Sequence, residues 1–402
     1  MPRKSAGRAD LESRAILLAR AKQLVPLIAS RVVQAEDSRR VPEETIDDLR
    51  RTGLLRMLQP ARIGGSELDY GMLVDTSAIV AQGCPSTAWV LANLASHHWM
   101  LAMFPPAAQE DVWGSDRDAL ISASFIFPAG RAHPTDDGFV VSGRWPFCAG
   151  VSHSGWSMVA GIVQAEDDLD TISQYRIFLL PRADYRVVDV WRAGGLEAAD
   201  ANDLDADQVF VPIHRTVAVD DIKGGETPGS KVNRAALYQI PVFATFPYVL
   251  SGIALGTAEA AVSSFIENAG TRITTYTGVV LGDLETTQIR LAEASACADV
   301  ARLIMSMACV EMQQLAELGR IPDMLTKVRW RRDAAFGVSL CARSVDLLVQ
   351  ASGAGVVYRD HPLQRAKRNM DAVKAHLAFN PERAGASYGR VALGHTADNP
   401  TL

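Results

Sequence analysis

The spacing of apolar residues changes twice along this 402-residue chain. From Leu11 to about Trp113, apolar residues recur at intervals of three and four, which is the period of an amphipathic helix. From Ala119 to about Val219 the chain consists of short β-branched runs separated by turn residues. A polar linker, residues 220–233, precedes a second helical region. The pattern predicts an α+β fold with an N-terminal helical domain (1–115), a central β domain (116–225) and a C-terminal helical bundle (226–402).

The central segment predicts a small antiparallel barrel or sandwich, because its apolar runs have the length and the β-branched and aromatic content of strands. The six runs are LISASFIF, GFVVSGRW, WSMVAGIV, YRIFLLP, YRVVDVW and DQVFVP. In the C-terminal region, residues 290–318 predict one long amphipathic helix with an apolar stripe on one face. The stripe contains Val300, Leu303, Ile304 and Met307.

Composition excludes several classes of protein. The chain is 48% hydrophobic and 21% charged with a net charge of -6, which gives it no basic footprint for nucleic acid. Its N-terminus is charged and lacks the apolar segment of a secretory signal. The most apolar window, residues 246–265, is interrupted by Glu259 and predicts a buried helix rather than a membrane span. We therefore expect a soluble cytoplasmic protein that binds neither nucleic acid nor membrane.

Neither the cysteines nor the glycine-containing run near residue 353 indicates a metal or nucleotide site. The five cysteines are scattered and form no C-x-x-C pair, so no structural zinc is expected and the thiols are interpreted as buried structural residues. The run GAGVVY, which begins at Gly353, lacks the third glycine of a dinucleotide fingerprint and follows a helical pattern. The sequence thus predicts neither a metal site nor a nicotinamide site.

Three segments carry a resemblance to a known family. Residues 84–105 (CPSTAWVLANLASHHWMLAMFP) contain two histidines before a tryptophan, residues 127–156 contain the stretch GRWPFCAGVSHSGW, and residues 361–376 end in a histidine. Together they resemble the acyl-CoA dehydrogenase superfamily, and within it the oxygenase components of two-component flavin-dependent monooxygenases that act on p-hydroxyphenylacetate, secosteroid phenols or dibenzothiophene. The resemblance implies a helical domain, a β domain and a C-terminal four-helix bundle.

The resemblance also implies where a flavin binds. Trp145 and Phe147 would form apolar walls, while Cys148 and Ala149 are small enough to let backbone donors approach the ring. At Ala149 related monooxygenases commonly have a serine, so a side-chain donor is missing here. Arg272 matches an arginine that holds the flavin phosphate, since a guanidinium pairs with phosphate in a bidentate manner. Further expected cofactor contacts are Gln288, Gly353 and Gly355.

The histidines are the expected catalytic residues. The resemblance places His376 on the reactive face of the flavin, where an imidazole can act as a general base toward a phenol or indole. His97 is expected to contact substrate, but a slip of one position to His98 is possible, because adjacent residues point about 100° apart on a helix. Phe125 is a further candidate for substrate binding. His376, His97, His98 and Phe125 thus define the expected substrate side.

The function that the resemblance implies is oxygenation of an aromatic small molecule, phenolic or indolic. Reduced FMN or FAD, supplied by a separate NAD(P)H-dependent flavin reductase, would react with O2 to give a C4a-hydroperoxide, and the enzyme is expected to be a homotetramer. An N-oxygenase or S-oxygenase of the same fold is an alternative. An acyl-CoA dehydrogenase is a weaker one, because the window KAHLAFN (374–380) offers His376 and no carboxylate base. A non-enzymatic helical scaffold is the remaining alternative.

Overall fold

The computed structural model describes residues 8–164, 172–274 and 277–402. The N-terminal region is helical, as predicted. Its helices are α1 (Arg8–Ser30), α2 (Val32–Ser38), α3 (Glu43–Arg51), α4 (Gly71–Ala81), α5 (Pro85–Leu101) and α6 (Pro106–Trp113). All of α5 is buried, and it starts with Pro85 at the first helical position and the Cys84 sulfur accepting from the Thr87 N–H. This central helix carries both histidines of the predicted substrate side.

The described residues of the middle region form one eight-stranded sheet. Its strands are β1 (Ile121–Ser124), β2 (Gly130–Thr135), β3 (Gly138–Cys148), β4 (Trp156–Gln164), β5 (Ile172–Pro181), β6 (Arg186–Val188), β7 (Asn202–Pro212) and β8 (Thr216–Ala218). The order is β6-β7-β3-β2-β4-β5-β8, with β1 paired to β4. Most pairs are antiparallel as predicted, but β1 and β2 both run parallel to β4. Buried side chains of the sheet form a hydrophobic core that is separate from the main core of the protein.

Two strands were missed in the sequence. The β2 run GRAHPT contains proline and charged residues and lacks the alternation that identifies a half-buried strand. The β8 strand has three residues, all buried, and is too short to show a period. Both are held by neighbouring strands, β2 by β3 over six residue pairs and β8 by β5 over three. Tertiary pairing, rather than local preference, therefore makes them strands.

The C-terminal region is a helical bundle. Its helices are α7 (Val242–Ala269), α8 (Glu285–Glu317), α9 (Met324–Ala351), α10 (Pro362–Lys374) and α11 (Pro381–Ala392). By length and composition α7 and α9 could each cross a membrane, but 67% and 56% of their most apolar windows are buried inside the protein. They are therefore interpreted as core helices of the bundle, which agrees with the expectation for residues 246–265.

The first turn of α7 contains a local irregularity. Pro247 lies inside the helix and has no N–H, so the carbonyl of Phe243, four residues earlier, lacks its helical donor. The guanidinium of Arg331 on α9 donates to that carbonyl at 2.5 Å. An arginine from the neighbouring helix thus supplies the hydrogen bond that the proline removes.

Candidate active site

A cluster of aromatic rings joins the three regions of the fold. The His97 ring on α5 contacts Phe125, just after β1, with 5.9 Å between ring centroids. Phe125 in turn contacts Phe243 at 5.8 Å and Phe246 at 5.9 Å, both in the first turns of α7. Phe246 lies 6.0 Å from the ring of His376, which follows α10. Because Phe125, Phe246 and His376 are each partly exposed, the cluster has an open side.

Within this aromatic cluster, the tautomer of His97 is set by β1. Its Nδ1 lies 2.6 Å from the carbonyl oxygen of Ile121, which can only accept, so Nδ1 carries the proton and Nε2 is left as an acceptor. The Nε2 atom has no hydrogen-bond partner among the described residues. Burial lowers the pKa of His97 to about 4, partly offset by the bond to Ile121. The ring is therefore a neutral acceptor at physiological pH.

His98 is rotated about 100° from His97 on α5, and its ring contacts Trp113 rather than the cluster. It stacks on Trp113 at 6.0 Å, and its Nδ1 accepts from the Trp113 indole N–H at 3.2 Å. Its side chain is fully buried, and burial lowers its pKa to about 3. His98 was the alternative to His97 for contacting substrate, and the rotation of about 100° per residue turns it into the helical domain instead.

His376 has the opposite tautomer from His97. It precedes the short turn 377–379, and its Nδ1 accepts from the Ala378 N–H at 3.2 Å, so in the neutral ring the proton resides on Nε2. The ring also contacts Trp89 and Phe379, each at 5.9 Å. Burial and, second, the charge of Arg331 lower its pKa to about 4. This geometry makes Nε2 a donor and does not fit the general-base role expected of His376.

The stretch expected to seat the flavin contains a register shift. The pairing of β3 with β7 slips between Trp145 and Cys148, and Phe147 has a φ of +66°. The slip turns the two aromatic side chains to opposite sides: Phe147 is 62% exposed, whereas Trp145 is fully buried in the sheet core. The Trp145 indole N–H donates to the Ala160 carbonyl at 2.6 Å, so the side chain predicted to be a cofactor wall packs inside the sheet in this structure.

The small residues after Phe147 are also buried or hydrogen-bonded within the protein. Cys148 and Ala149 are both buried. The Ala149 N–H donates to the Phe147 carbonyl at 3.1 Å, and the Gly150 N–H donates to Ala199 at 3.0 Å. Burial raises the pKa of the Cys148 thiol, which keeps it protonated. The backbone donors expected from Ala149 are therefore already used within the protein, and Phe147 is the accessible surface of this stretch.

Arg272 and Gly355 come together at one end of the bundle. A Cβ added to Gly355 would lie 3.0 Å from the Arg272 guanidinium, so a glycine leaves that group its room. Arg272 has no carboxylate partner among the described residues, and its charge contributes to the lowered pKa of His361, after burial. Arg272 and His361 line one small cavity with Ser264, Asn268 and Ser352. The cavity is also lined by apolar side chains, but a guanidinium without a carboxylate partner fits an anion such as a phosphate.

The remaining two cofactor candidates, Gly353 and Gln288, do not line this cavity. Gly353 has φ +68° and ψ -169°, a conformation that is essentially restricted to glycine, and it starts the turn that carries Gly355. Gln288 is exposed at the start of α8, where its side-chain amide donates to the Gly282 carbonyl at 3.0 Å. Gly353 is thus explained by backbone geometry, and Gln288 by a contact within its own loop.

Sequence reasoning missed two residues of the site, Trp89 and Arg331. Trp89 lies two helical turns before His97 on α5 and reads as an ordinary core residue. Arg331 sits in the basic run RWRR (329–332), which reads as a solvated face. The available signal was Pro247, because a proline inside a helix leaves the carbonyl four residues earlier in need of a donor.

Fold and site together define a class of protein: a helical, β and bundle architecture with a candidate phosphate cavity, one buried imidazole and a second, partly exposed one. A family model described as "Acyl-CoA dehydrogenase, C-terminal domain" matches residues 248–381. Among curated proteins, the chain is 33% identical over 373 residues to the flavin-dependent monooxygenase oxygenase subunit HsaA of Rhodococcus jostii (strain RHA1), covering 92% of this chain and 96% of that protein.

Two further proteins are similar over nearly the whole chain. The FADH(2)-dependent resorcinol hydroxylase, oxygenase component, of Rhizobium sp. (strain MTP-10005) is 32% identical, covering 94% of each chain. The crystal structure of 3-HSA hydroxylase from Rhodococcus sp. RHA1 superposes with a TM-score of 0.91 at 32% identity, covering 96% of this chain and 99% of that one. The chain belongs to the oxygenase components of the flavin-dependent monooxygenases with the acyl-CoA dehydrogenase fold.

This membership confirms the predicted family, fold class and enzyme class. It also confirms dependence on flavin. An oxygenase component of this kind works with a separate reductase, as expected from the absence of a nicotinamide motif in the sequence.

Proposed function

We propose that this chain hydroxylates a phenol, bound against the aromatic cluster between His97 and His376, with reduced FMN or FAD and O2. The observation that carries the proposal is the pair of opposite tautomers: His97 presents an acceptor nitrogen and His376 a donor N–H at the two ends of one cluster. A phenol has a flat ring to stack on such a surface and a hydroxyl to donate to His97. The similarity to a resorcinol hydroxylase supports this substrate class.

His97 holds the hydroxyl rather than removing its proton at the start. With a pKa of about 4, its Nε2 is a weak base compared with a phenolate, whose conjugate acid has a pKa near ~10. As the ring carbon forms its bond to oxygen, the hydroxyl becomes strongly acidic and its proton passes to Nε2. General-base catalysis of this kind increases the reaction rate by about 10²–10⁴-fold.

His376 supplies a hydrogen-bond donor from the other end of the cluster. Its Nε2–H is held in place because Nδ1 is occupied by the Ala378 N–H. Its low pKa keeps the ring neutral, so that it donates without adding a buried positive charge beside that of Arg331. It therefore orients an oxygen atom near the reacting carbon.

The residues that would hold the flavin are Phe147, through its exposed ring, and Arg272 with Gly355, around the phosphate. When bound, the reduced flavin reacts with O2 and supplies the oxygen atom that is transferred. Buried Ala149 contributes no side-chain donor there, in contrast to the serine that resembling enzymes commonly have.

The oligomer that we propose is a homotetramer. Several apolar residues along α8 are exposed in the single chain, and they recur at heptad spacing: Val300, Leu303, Met307 and Val310. Leu303 and Met307 are 61% and 72% exposed. We call these four residues the α8 stripe. Such a row of exposed apolar side chains on one helix is typical of a surface that another subunit covers.

The test is product formation by the wild-type protein and two variants. Photoreduced FMN or FAD is mixed with protein, O2 and resorcinol, and the hydroxylated product is quantified by chromatography. We expect product from the wild type, a decrease of about 10²-fold or more in His97→Ala, and near wild-type rates in the control His98→Asn. Flavin oxidation that yields only hydrogen peroxide with phenols, or product from an indole alone, would contradict the proposal.

A further inference from the structure

Four arginines lie on α9, and three of them pair with carboxylates. Arg329 donates to Glu311 at 2.7 Å, Arg332 to Asp333 at 2.6 Å and Arg343 to Glu293 at 2.8 Å. Arg331 is the exception: among the described residues its one hydrogen bond goes to the Phe243 carbonyl at 2.5 Å, and it forms no ion pair. Among the described residues, Arg331 is thus the arginine of α9 that no protein anion neutralises; Lys327, also on this helix and also without an ion pair, donates to the Lys223 carbonyl at 2.8 Å.

Arg331 lies close to the aromatic cluster. The carbonyl that it binds belongs to Phe243, whose ring contacts both Phe125 and Phe127. Its positive charge is also felt at His376, where it contributes to the lowered pKa. Arg331 therefore approaches the substrate side from the bundle, at the end where His376 stands.

The structural role of Arg331 uses only part of its guanidinium. The bond to Phe243 replaces the donor that Pro247 lacks, and it occupies one of five N–H groups. A neutral donor would satisfy that carbonyl equally well. Burial and, second, the charge of a neighbouring cation, Arg383, together lower the pKa of Arg331 to about 10. A largely buried charge of this kind is costly unless an anion joins it.

We propose that Arg331 binds an anionic substituent of the substrate, a carboxylate carried on the phenol ring and separate from the reacting hydroxyl. The assignment rests on the proposed phenol hydroxylation, in which the hydroxyl lies at His97 and the opposite end of the ring points toward Arg331. The remaining N–H groups of the guanidinium form the planar fork that receives a carboxylate through two parallel hydrogen bonds.

The test compares two phenols of nearly equal size, 4-hydroxyphenylpropanoate and 4-propylphenol. Binding of each to the protein with reduced flavin is measured by anaerobic calorimetry. We expect the wild type to bind the carboxylate at least about tenfold more tightly, as a charge-assisted pair of about 1.4 kcal/mol or more requires. Arg331→Gln should lose that preference, while its Kd for 4-propylphenol changes by less than about threefold, since glutamine still offers a donor to Phe243.

Arg343→Gln is the matched control, because it removes the same charge from an exposed position on the same helix. It should keep the wild-type preference. Equal affinity of the wild type for the two phenols, or equal loss of both in Arg331→Gln, would overturn the proposal. If Arg331→Gln does not fold, the wild-type comparison alone decides the outcome. A wild type that hydroxylates 4-propylphenol but shows no carboxylate preference contradicts only this inference, whereas one that hydroxylates neither contradicts the proposed function.

Discussion

Each imidazole of the site has its tautomer set by one backbone group. The Ile121 carbonyl accepts from His97 and so favours a proton on Nδ1, whereas the Ala378 N–H donates to Nδ1 of His376 and leaves its proton on Nε2. Two residues of the same type, both with pKa values lowered to about 4, therefore have opposite hydrogen-bonding roles. The hydrogen-bonding role of each histidine therefore depends on which of its two ring nitrogens is left to face the aromatic cluster.

Two substitutions at His376 separate a donor from a base. Glutamine has an amide N–H near the position of Nε2 but no basic nitrogen, whereas alanine has neither. If His376 donates, His376→Gln should hydroxylate at least about tenfold faster than His376→Ala, since a lost hydrogen bond of about 1.4 kcal/mol corresponds to that factor. Single-turnover rates of product formation measure the difference. Equal losses in both variants would restore the general-base role.

Helix α5 illustrates how one element divides its residues between site and core. All its side chains are buried, and the step from His97 to His98 turns the ring from Phe125 to Trp113. The same division occurs in β3, where the register shift sends Phe147 outward and Trp145 into the sheet. In both elements a single local rotation decides which of two similar residues can take part in function.

Burial of His98 predicts how stability depends on pH. The pKa of His98 falls from the 6.5 of an ordinary histidine to about 3 in the fold, so between these values the unfolded chain binds a proton that the folded protein does not. Stability therefore decreases as pH falls from about 6.5 toward 3, with a slope of about 1.4 kcal/mol per pH unit for each such histidine. His98→Asn, whose amide oxygen can still accept from Trp113, should flatten this slope.

The measurement is the urea midpoint of unfolding at pH 7.5, 6 and 5. The wild type should lose stability across this series faster than His98→Asn. His395→Asn, which changes an exposed histidine near the C-terminus, serves as the control and should follow the wild type. Parallel pH dependence in wild type and His98→Asn would show that His98 is hydrated in the folded protein.

At the scale of the whole molecule, the single chain leaves some apolar side chains exposed to solvent. The α8 stripe was predicted in part from sequence as an amphipathic face, and the structure shows Val300, Leu303 and Met307 turned to solvent rather than into the bundle. The buried side of α8 is formed instead by small and sulfur-containing residues, among them Ala301, Met305 and Ala308. The helix therefore has two apolar faces, one for the core and one that we assign to a partner subunit.

Charges placed in the α8 stripe test the homotetramer. The double variant Leu303→Glu and Met307→Glu should lower the molar mass measured by light scattering to that of dimers or monomers, because each buried carboxylate would lack a partner. Val33→Glu, at an exposed apolar residue of α2, is the control and should leave the mass unchanged. An unaltered tetramer in the double variant would place the interface elsewhere.

The sequence by itself determined the order of helical, β and helical regions, because hydrophobic periodicity is a local property that survives in any tertiary setting. It also led us to predict His97, Phe125, Phe147, Arg272 and His376 as site residues, of which the structure brings His97, Phe125 and His376 into one aromatic cluster. Only the tertiary structure decided that His97 rather than His98 faces the cluster, that Trp145 belongs to the core and that Arg331 reaches Phe243. Side-chain direction, tautomer and charge pairing depend on groups contributed by other elements, which no local stretch of sequence contains.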